Sequence, residues 1–215
     1  MRYTHVLFDL DGTLTDPGEG ITNSVMYALD KFGIKVTDRS SLYKFIGPPL
    51  LDSFKEFYGF DDDKAWQGLV YYREYFGDKG LYENKVYEGI YELLDNLRNR
   101  GVKLYVATSK PTEYTLRILD KYELSEYFEY VSGSSMDEKN SDKSIIIKHA
   151  IDTCNIPCDK ALMIGDRKFD IIGAKANNIA SVGVLYGYGN SEELMAEQAM
   201  YIVNKPEDIV NIVMG

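Results

Sequence analysis

Three separate stretches of this chain carry the residue types that phosphoryl chemistry needs. The first is Phe8-Asp9-Leu10-Asp11-Gly12-Thr13, the second Thr108-Ser109-Lys110, and the third Gly165-Asp166-Arg167-Lys168-Phe169-Asp170. Asp9 and Asp11, at i and i+2, point the same way while the chain is extended. Carboxylates held together repel, so burying them is costly unless a cation or a proton intervenes. Hard carboxylate oxygens with several waters suit Mg²⁺, and such an ion can neutralise a carboxylate and a phosphate that would otherwise repel. An aspartate can then attack phosphorus to give an acyl phosphate. A second carboxylic acid can protonate the departing alkoxide and later deprotonate the attacking water. Thr108, Ser109 and backbone N–H groups before a helix suit the phosphate oxygens. Taken alone, Asp-Leu-Asp-Gly-Thr also reads as an acidic turn; the other two stretches argue against that.

The elements around these residues say whether they can meet. Val6–Phe8, Lys103–Ala107, Tyr130–Ser132, Ala161–Ile164 and Ser181–Leu185 are short, non-alternating apolar runs, the pattern of strands buried on both faces. Between them lie helical patterns: Ile90, Leu93, Leu94 and Leu97 ending at Gly101, then Tyr114–Tyr122, Ser144–Thr153 and Phe169–Asn177. The alternation predicts an α/β fold, a Rossmann-like parallel sheet with helices on both faces. Ligands bind beyond the carboxyl ends of such strands, which is where all three stretches fall.

From Gly18 to Glu83 the periodicity is helical throughout. Ile21, Val25, Ala28, Leu29 and Phe32 form one stripe, and Leu50–Tyr58 and Ala65–Phe76 two further helices. An insertion of this size is too long for a loop and predicts a small α-helical cap domain over 17–83, the core being 1–16 and 84–215. Trp66, Tyr71, Tyr72, Tyr75 and Phe76 read as core of that domain. Hinges are expected near Asp16–Gly20 and Tyr82–Val86.

With 34 acidic and 24 basic residues the formal charge is −10, so the average surface repels nucleic acid and anionic membranes. Cys154 and Cys158 with His5 and His149 lack the spacing of a zinc site, and the two cysteines read as inert thiols of a reducing compartment. The N-terminus has no signal-peptide pattern, and no apolar run reaches the roughly 20 residues of a membrane span. The expectation is a cytoplasmic protein, monomeric, with no nucleic-acid or membrane partner.

Asp9-x-Asp11-Gly12-Thr13, Thr108, a downstream lysine and Gly165-Asp166-x-x-x-Asp170, in that order along the chain, resemble the haloacid dehalogenase superfamily. The likeness is to its phosphoglycolate-phosphatase-like and 5′-nucleotidase-like members with a helical cap. The resemblance implies a Mg²⁺-dependent phosphatase acting on a small phosphomonoester, with Asp9 as nucleophile and Asp11 as general acid/base. It places Thr108 on the phosphate, and Asp9, Asp166 and the Asp11 backbone carbonyl on the metal. It also favours Lys143 over Lys139 as the phosphate lysine and gives Asp170 a supporting role, through metal-bound water or by orienting Lys143. Lys110 is expected to be a phosphate-region or surface lysine, and Arg167 has an equal reading as a solvated loop residue. Asp11 argues against dehalogenation, which needs no proton for an alkoxide. Phosphoglycolate would want a cap cation, Lys44 or Arg73, and a nucleotide an aromatic platform. Phe45–Leu50 is expected either to touch the leaving group or to be a plain helix–helix turn. A sugar phosphomutase, a receiver-like phospho-acceptor and a non-catalytic scaffold are the rival readings.

Overall fold

The computed structural model describes residues 1–137 and 140–215. Its chain falls into two compact units, Met1–Thr15 with Val86–Gly215, and Asp16–Lys85. The larger is built on a six-stranded sheet of order β5-β4-β1-β6-β7-β8. The strands are β1 His5–Phe8, β4 Lys103–Pro111, β5 Tyr130–Ser134, β6 Ala161–Gly165, β7 Ala180–Val184 and β8 Tyr201–Val203. Every neighbouring pair is parallel. The two-residue strands β2 Thr15–Asp16 and β3 Lys85–Val86 pair where the chain passes between the units.

The helices of this unit are α4 Ile90–Asn99, α5 Thr112–Lys121, α6 Lys143–Cys154, α7 Lys168–Ala176, α8 Ser191–Ala196 and α9 Asp208–Met214. Side chains alternate across the sheet, so Leu7, Tyr105, Ala107, Ala161 and Met163 pack on one face against Ile146, Ile147, Ala150 and Ala174 of α6 and α7. Their neighbours Val6, Phe8, Leu104, Val106, Leu162 and Ile164 are equally buried on the other face. That two-sided burial is why the strands read as continuous apolar runs. The sheet and its helices match the α/β expectation. Strand β8 and helices α8 and α9 were not anticipated, being three to seven residues each and too short for a periodic signal.

The smaller unit holds α1 Gly18–Lys31, α2 Leu50–Tyr58 and α3 Asp62–Phe76, with 3₁₀ turns at Arg39–Phe45 and Gly80–Tyr82. Its core gathers Val25, Leu29, Leu42, Phe45, Phe54, Leu69 and Phe76. Tyr72 and Phe76 stack inside it, but Trp66 is 47% exposed and departs from the expected aromatic core, because it lies on the outer side of α3. In the segment between α1 and α2, Phe45 and Ile46 are buried and Phe45 packs edge-on against Phe54 and Phe57. Lys44 stays exposed, its ammonium over the Phe57 ring. Among the described residues no helix is long and apolar enough to cross a membrane.

Candidate active site

The site lies wholly in the larger unit, at the carboxyl ends of β1, β4 and β6. Asp9 follows β1 directly, and its N–H still donates to the Ile164 carbonyl of the neighbouring strand. The chain then turns sharply: Gly12 adopts φ +83°, its N–H donates to the Thr15 carbonyl, and Leu14 and Thr15 donate back to Leu10. Fully buried Leu10 and Leu14 anchor the turn. Asp9 and Asp11 are thereby held nine-tenths or more buried, fixed by backbone rather than by solvent.

Lys143 is the first residue of α6, whose start Asp142 caps by accepting the Ser144 N–H. The lysine reaches inward, with Nζ 2.9 Å from Asp9 Oδ1, 2.8 Å from Asp170 Oδ1 and 3.1 Å from the Ala107 carbonyl. Burial works against its charge, but Asp170 and Asp9 outweigh that and hold the ammonium above its ordinary range. Lys139 lies outside the described residues.

The carboxylates of Asp9, Asp166 and Asp170 come within 4.8 Å of one another, all buried. Asp166 accepts the Tyr188 N–H on Oδ2 at 2.7 Å, while its buried Oδ1 has no hydrogen-bond partner. Burial first, then Asp170 and Asp9, push its carboxyl well above the usual range. Asp170, at the first turn of α7, accepts the Arg167 N–H on Oδ2 and is raised to about 6, mainly by burial, against the lowering effect of Lys143. Three buried carboxylates facing one lysine are short of positive charge, and one of their oxygens has no partner. An all-oxygen donor set of this kind fits a hard divalent cation.

Asp11 is not part of that cluster of carboxylates. Its side chain turns to Lys110, with Oδ2 2.7 Å from Nζ, both groups buried. Its carboxyl is raised by burial, against the pull of Lys110. The metal expectation for Asp11 concerned its backbone carbonyl, which this side-chain geometry leaves open. Lys110 is 9% exposed, so the surface reading does not hold: β4 carries it two residues past Thr108, into the site. Thr108 is buried, its Oγ1 accepting the Lys110 N–H at 3.3 Å. Ser109 sits beside it, but its hydroxyl donates to the Ser141 carbonyl at 2.9 Å. Arg167 is no solvated loop residue, since its Nε lies 2.9 Å from Glu193 Oε1 of α8.

The sequence reading also missed the Tyr186–Gly189 loop. A Cβ at Gly187 would stand 2.2 Å from the Gly12 carbonyl and 2.5 Å from Asp166 Cβ, so this loop lies directly on the Asp166 carboxylate. The Tyr186 hydroxyl is buried without a hydrogen-bond partner, and burial with the nearby Asp166 charge raises its pKa. Two glycines flanking Tyr188 after an apolar strand were the available signal for such close approach.

The family model of haloacid dehalogenase-like hydrolases matches residues 6–184. The chain belongs to this family. It is 48% identical over 198 residues to a 5′-nucleotidase of Pseudomonas aeruginosa, covering 92% of this chain and 90% of that protein. It is 35% identical over 187 residues to the tyrosine-protein kinase PtkA of Mycobacterium tuberculosis, covering 87% of this chain and 64% of the kinase's length. Among solved structures, a predicted phosphatase from Clostridium acetobutylicum superposes with a TM-score of 0.97 at 51% identity, covering 100% of this chain and 99% of that one. The chain is thus an enzyme of a hydrolase family whose relatives include phosphatases.

Proposed function

We propose that this protein hydrolyses phosphomonoesters through a phosphoryl-aspartate on Asp9, with nucleoside 5′-monophosphates as its substrate class. The observation that carries the reaction class is Lys143 held between Asp9 and Asp170, against the carboxylate cluster. That arrangement sets a buried ammonium against the Asp9 carboxylate and puts a cation where a phosphate oxygen must come. The substrate class rests on the 48% identity to a 5′-nucleotidase over nine-tenths of that relative.

In the proposed reaction a carboxylate oxygen of Asp9 attacks phosphorus while Lys143 and the Thr108 hydroxyl hold the phosphate oxygens. Asp11 gives a proton to the departing ester oxygen and afterwards takes one from the water that cleaves the acyl phosphate. Mg²⁺, held by Asp9, Asp166 and Asp170, would supply positive charge between nucleophile and phosphate. Burial of every acidic group in the site keeps these interactions strong by excluding water.

The test is phosphate release from nucleoside monophosphates, phosphoglycolate, sugar phosphates and p-nitrophenyl phosphate, with Mg²⁺ and with chelator. Release is expected only with Mg²⁺, fastest from a nucleoside monophosphate, and lost in Asp9→Asn protein of unchanged circular dichroism. Faster turnover of phosphoglycolate would move the substrate class to the two-carbon acid. Phosphoryl transfer from ATP to a tyrosine-containing protein, in place of hydrolysis, would favour the activity named in the kinase relative.

A further inference from the structure

The two oxygens of Asp11 differ. Oδ2 lies 2.7 Å from the Lys110 ammonium, with both side chains buried. Oδ1 is equally buried and has no hydrogen-bond partner. Leaving a buried carboxylate oxygen without a partner is costly, so Oδ1 is the oxygen available to a substrate atom. We propose that Lys110 is the positioning residue for the acid/base: it clamps Oδ2 and thereby dedicates Oδ1 of Asp11 to proton exchange with the leaving group. This rests on the phosphatase reading and deepens it to the level of single atoms.

The chemistry follows from what an ammonium contact forbids. The Lys110 ammonium beside Oδ2 disfavours a proton on that oxygen, so the transferable proton sits on Oδ1. In the first half-reaction the Asp9–phosphorus bond forms and the phosphorus–ester oxygen bond breaks. The bonding pair stays on the ester oxygen, which takes the proton from Oδ1. In the second, water oxygen bonds to phosphorus, its proton goes to Oδ1, and the Asp9–phosphorus bond breaks to restore the carboxylate. Each cycle returns Asp11 to its starting state. The clamp also fixes the torsion of this short side chain, so that Oδ1 faces one direction in both steps.

β4 is what makes this possible. Thr108 and Lys110 stand two positions apart in extended chain, and the strand continues through them to Pro111 with an irregular register against β5. Both side chains therefore lie on the same side of the strand, and Lys110 meets Asp11 there.

The test separates leaving-group assistance from general support. An alkyl leaving group such as a nucleoside hydroxyl needs the proton, whereas p-nitrophenolate departs without it. In Lys110→Met, kcat/KM for a nucleoside monophosphate should fall by about 10–100-fold, a partial loss of acid/base assistance worth about 10²–10⁴-fold in full, and that for p-nitrophenyl phosphate by only a few-fold. Because the second half-reaction also needs Oδ1, p-nitrophenyl phosphate should give a burst of phenolate in this variant. The double variant Asp11→Asn/Lys110→Met should be no slower than Asp11→Asn alone. Equal losses on both esters, or losses that multiply in the double variant, would overturn the assignment. If Lys110→Met does not fold, the comparison of the double variant with Asp11→Asn decides, since both partners of the buried pair are then neutral. Failure of the phosphatase reading would look different: no release from any ester by the unaltered protein.

Discussion

Gly12→Ala offers the sharpest test of how the turn after β1 and the acidic cluster depend on each other. Gly12 has φ +83°, and a Cβ built there would lie 2.2 Å from Asp166 Oδ2, 2.5 Å from its Cγ and 2.7 Å from Oδ1. Asp166 is fully buried and cannot swing into solvent. To clear the methyl group its carboxylate must rotate away from the Tyr188 N–H that it accepts at 2.7 Å. Leaving the buried Tyr188 N–H without its acceptor costs about 1–3 kcal/mol, and the left-handed backbone costs an alanine about 1–2 kcal/mol more. Gly101→Ala is the control, with φ +78° and nothing within 4 Å of its Cβ, so it carries the backbone strain without the collision. Urea unfolding in chelator should therefore place Gly12→Ala below Gly101→Ala by about the hydrogen-bond cost. Since Asp166 is one of the proposed ligands, the Mg²⁺ concentration for half-maximal activity should also rise, by about 10–100-fold, as for other changes that disturb ligand orientation. Equal destabilisation by the two substitutions, with an unchanged Mg²⁺ midpoint, would refute the reasoning.

Other expectations follow from the same cluster. Lys143→Met leaves Asp9, Asp166 and Asp170 facing one another without the lysine and should cost about 3–5 kcal/mol in metal-free unfolding; a loss under 1 kcal/mol would show the pair to be replaceable. Asp170 holds its proton up to about 6 in the folded chain, against an ordinary 3.8. Between those values the folded state binds the extra proton, so this contribution is complete at low pH and is lost as pH rises through about 6. In chelator, the fall in Tm from pH 4 to 7 should be shallower in Asp170→Asn, and identical slopes would contradict the assignment. Mg²⁺ should oppose the fall, because it binds the deprotonated carboxylates. Tyr186→Phe removes a buried hydroxyl that has no partner. Stability should then stay level or rise by up to about 1 kcal/mol, and a clear loss would reveal a hidden bond.

Much of this molecule follows from sequence alone, for identifiable physical reasons. Strands buried on both faces must be apolar throughout, and helices buried on one face must repeat at 3.6 residues; both patterns are local, so β1, β4, β6 and their helices were legible. The parallel sheet follows from their alternation, and with it the convergence of Asp9, Thr108 and Asp166 on one edge. What tertiary structure decided is which side chain meets which. Whether Lys110 lies on the surface or clamps Asp11 depends on how far β4 runs before α5 begins, and nothing in Thr108-Ser109-Lys110 records that. The placing of Asp170 beside both Lys143 and Asp166, and of the Tyr186–Gly189 loop upon Asp166, joins residues far apart in the chain. Sequence periodicity reports the face a residue turns inward. It carries no information on the partner waiting there, because that partner is set by the packing of elements whose order in space differs from their order in the chain.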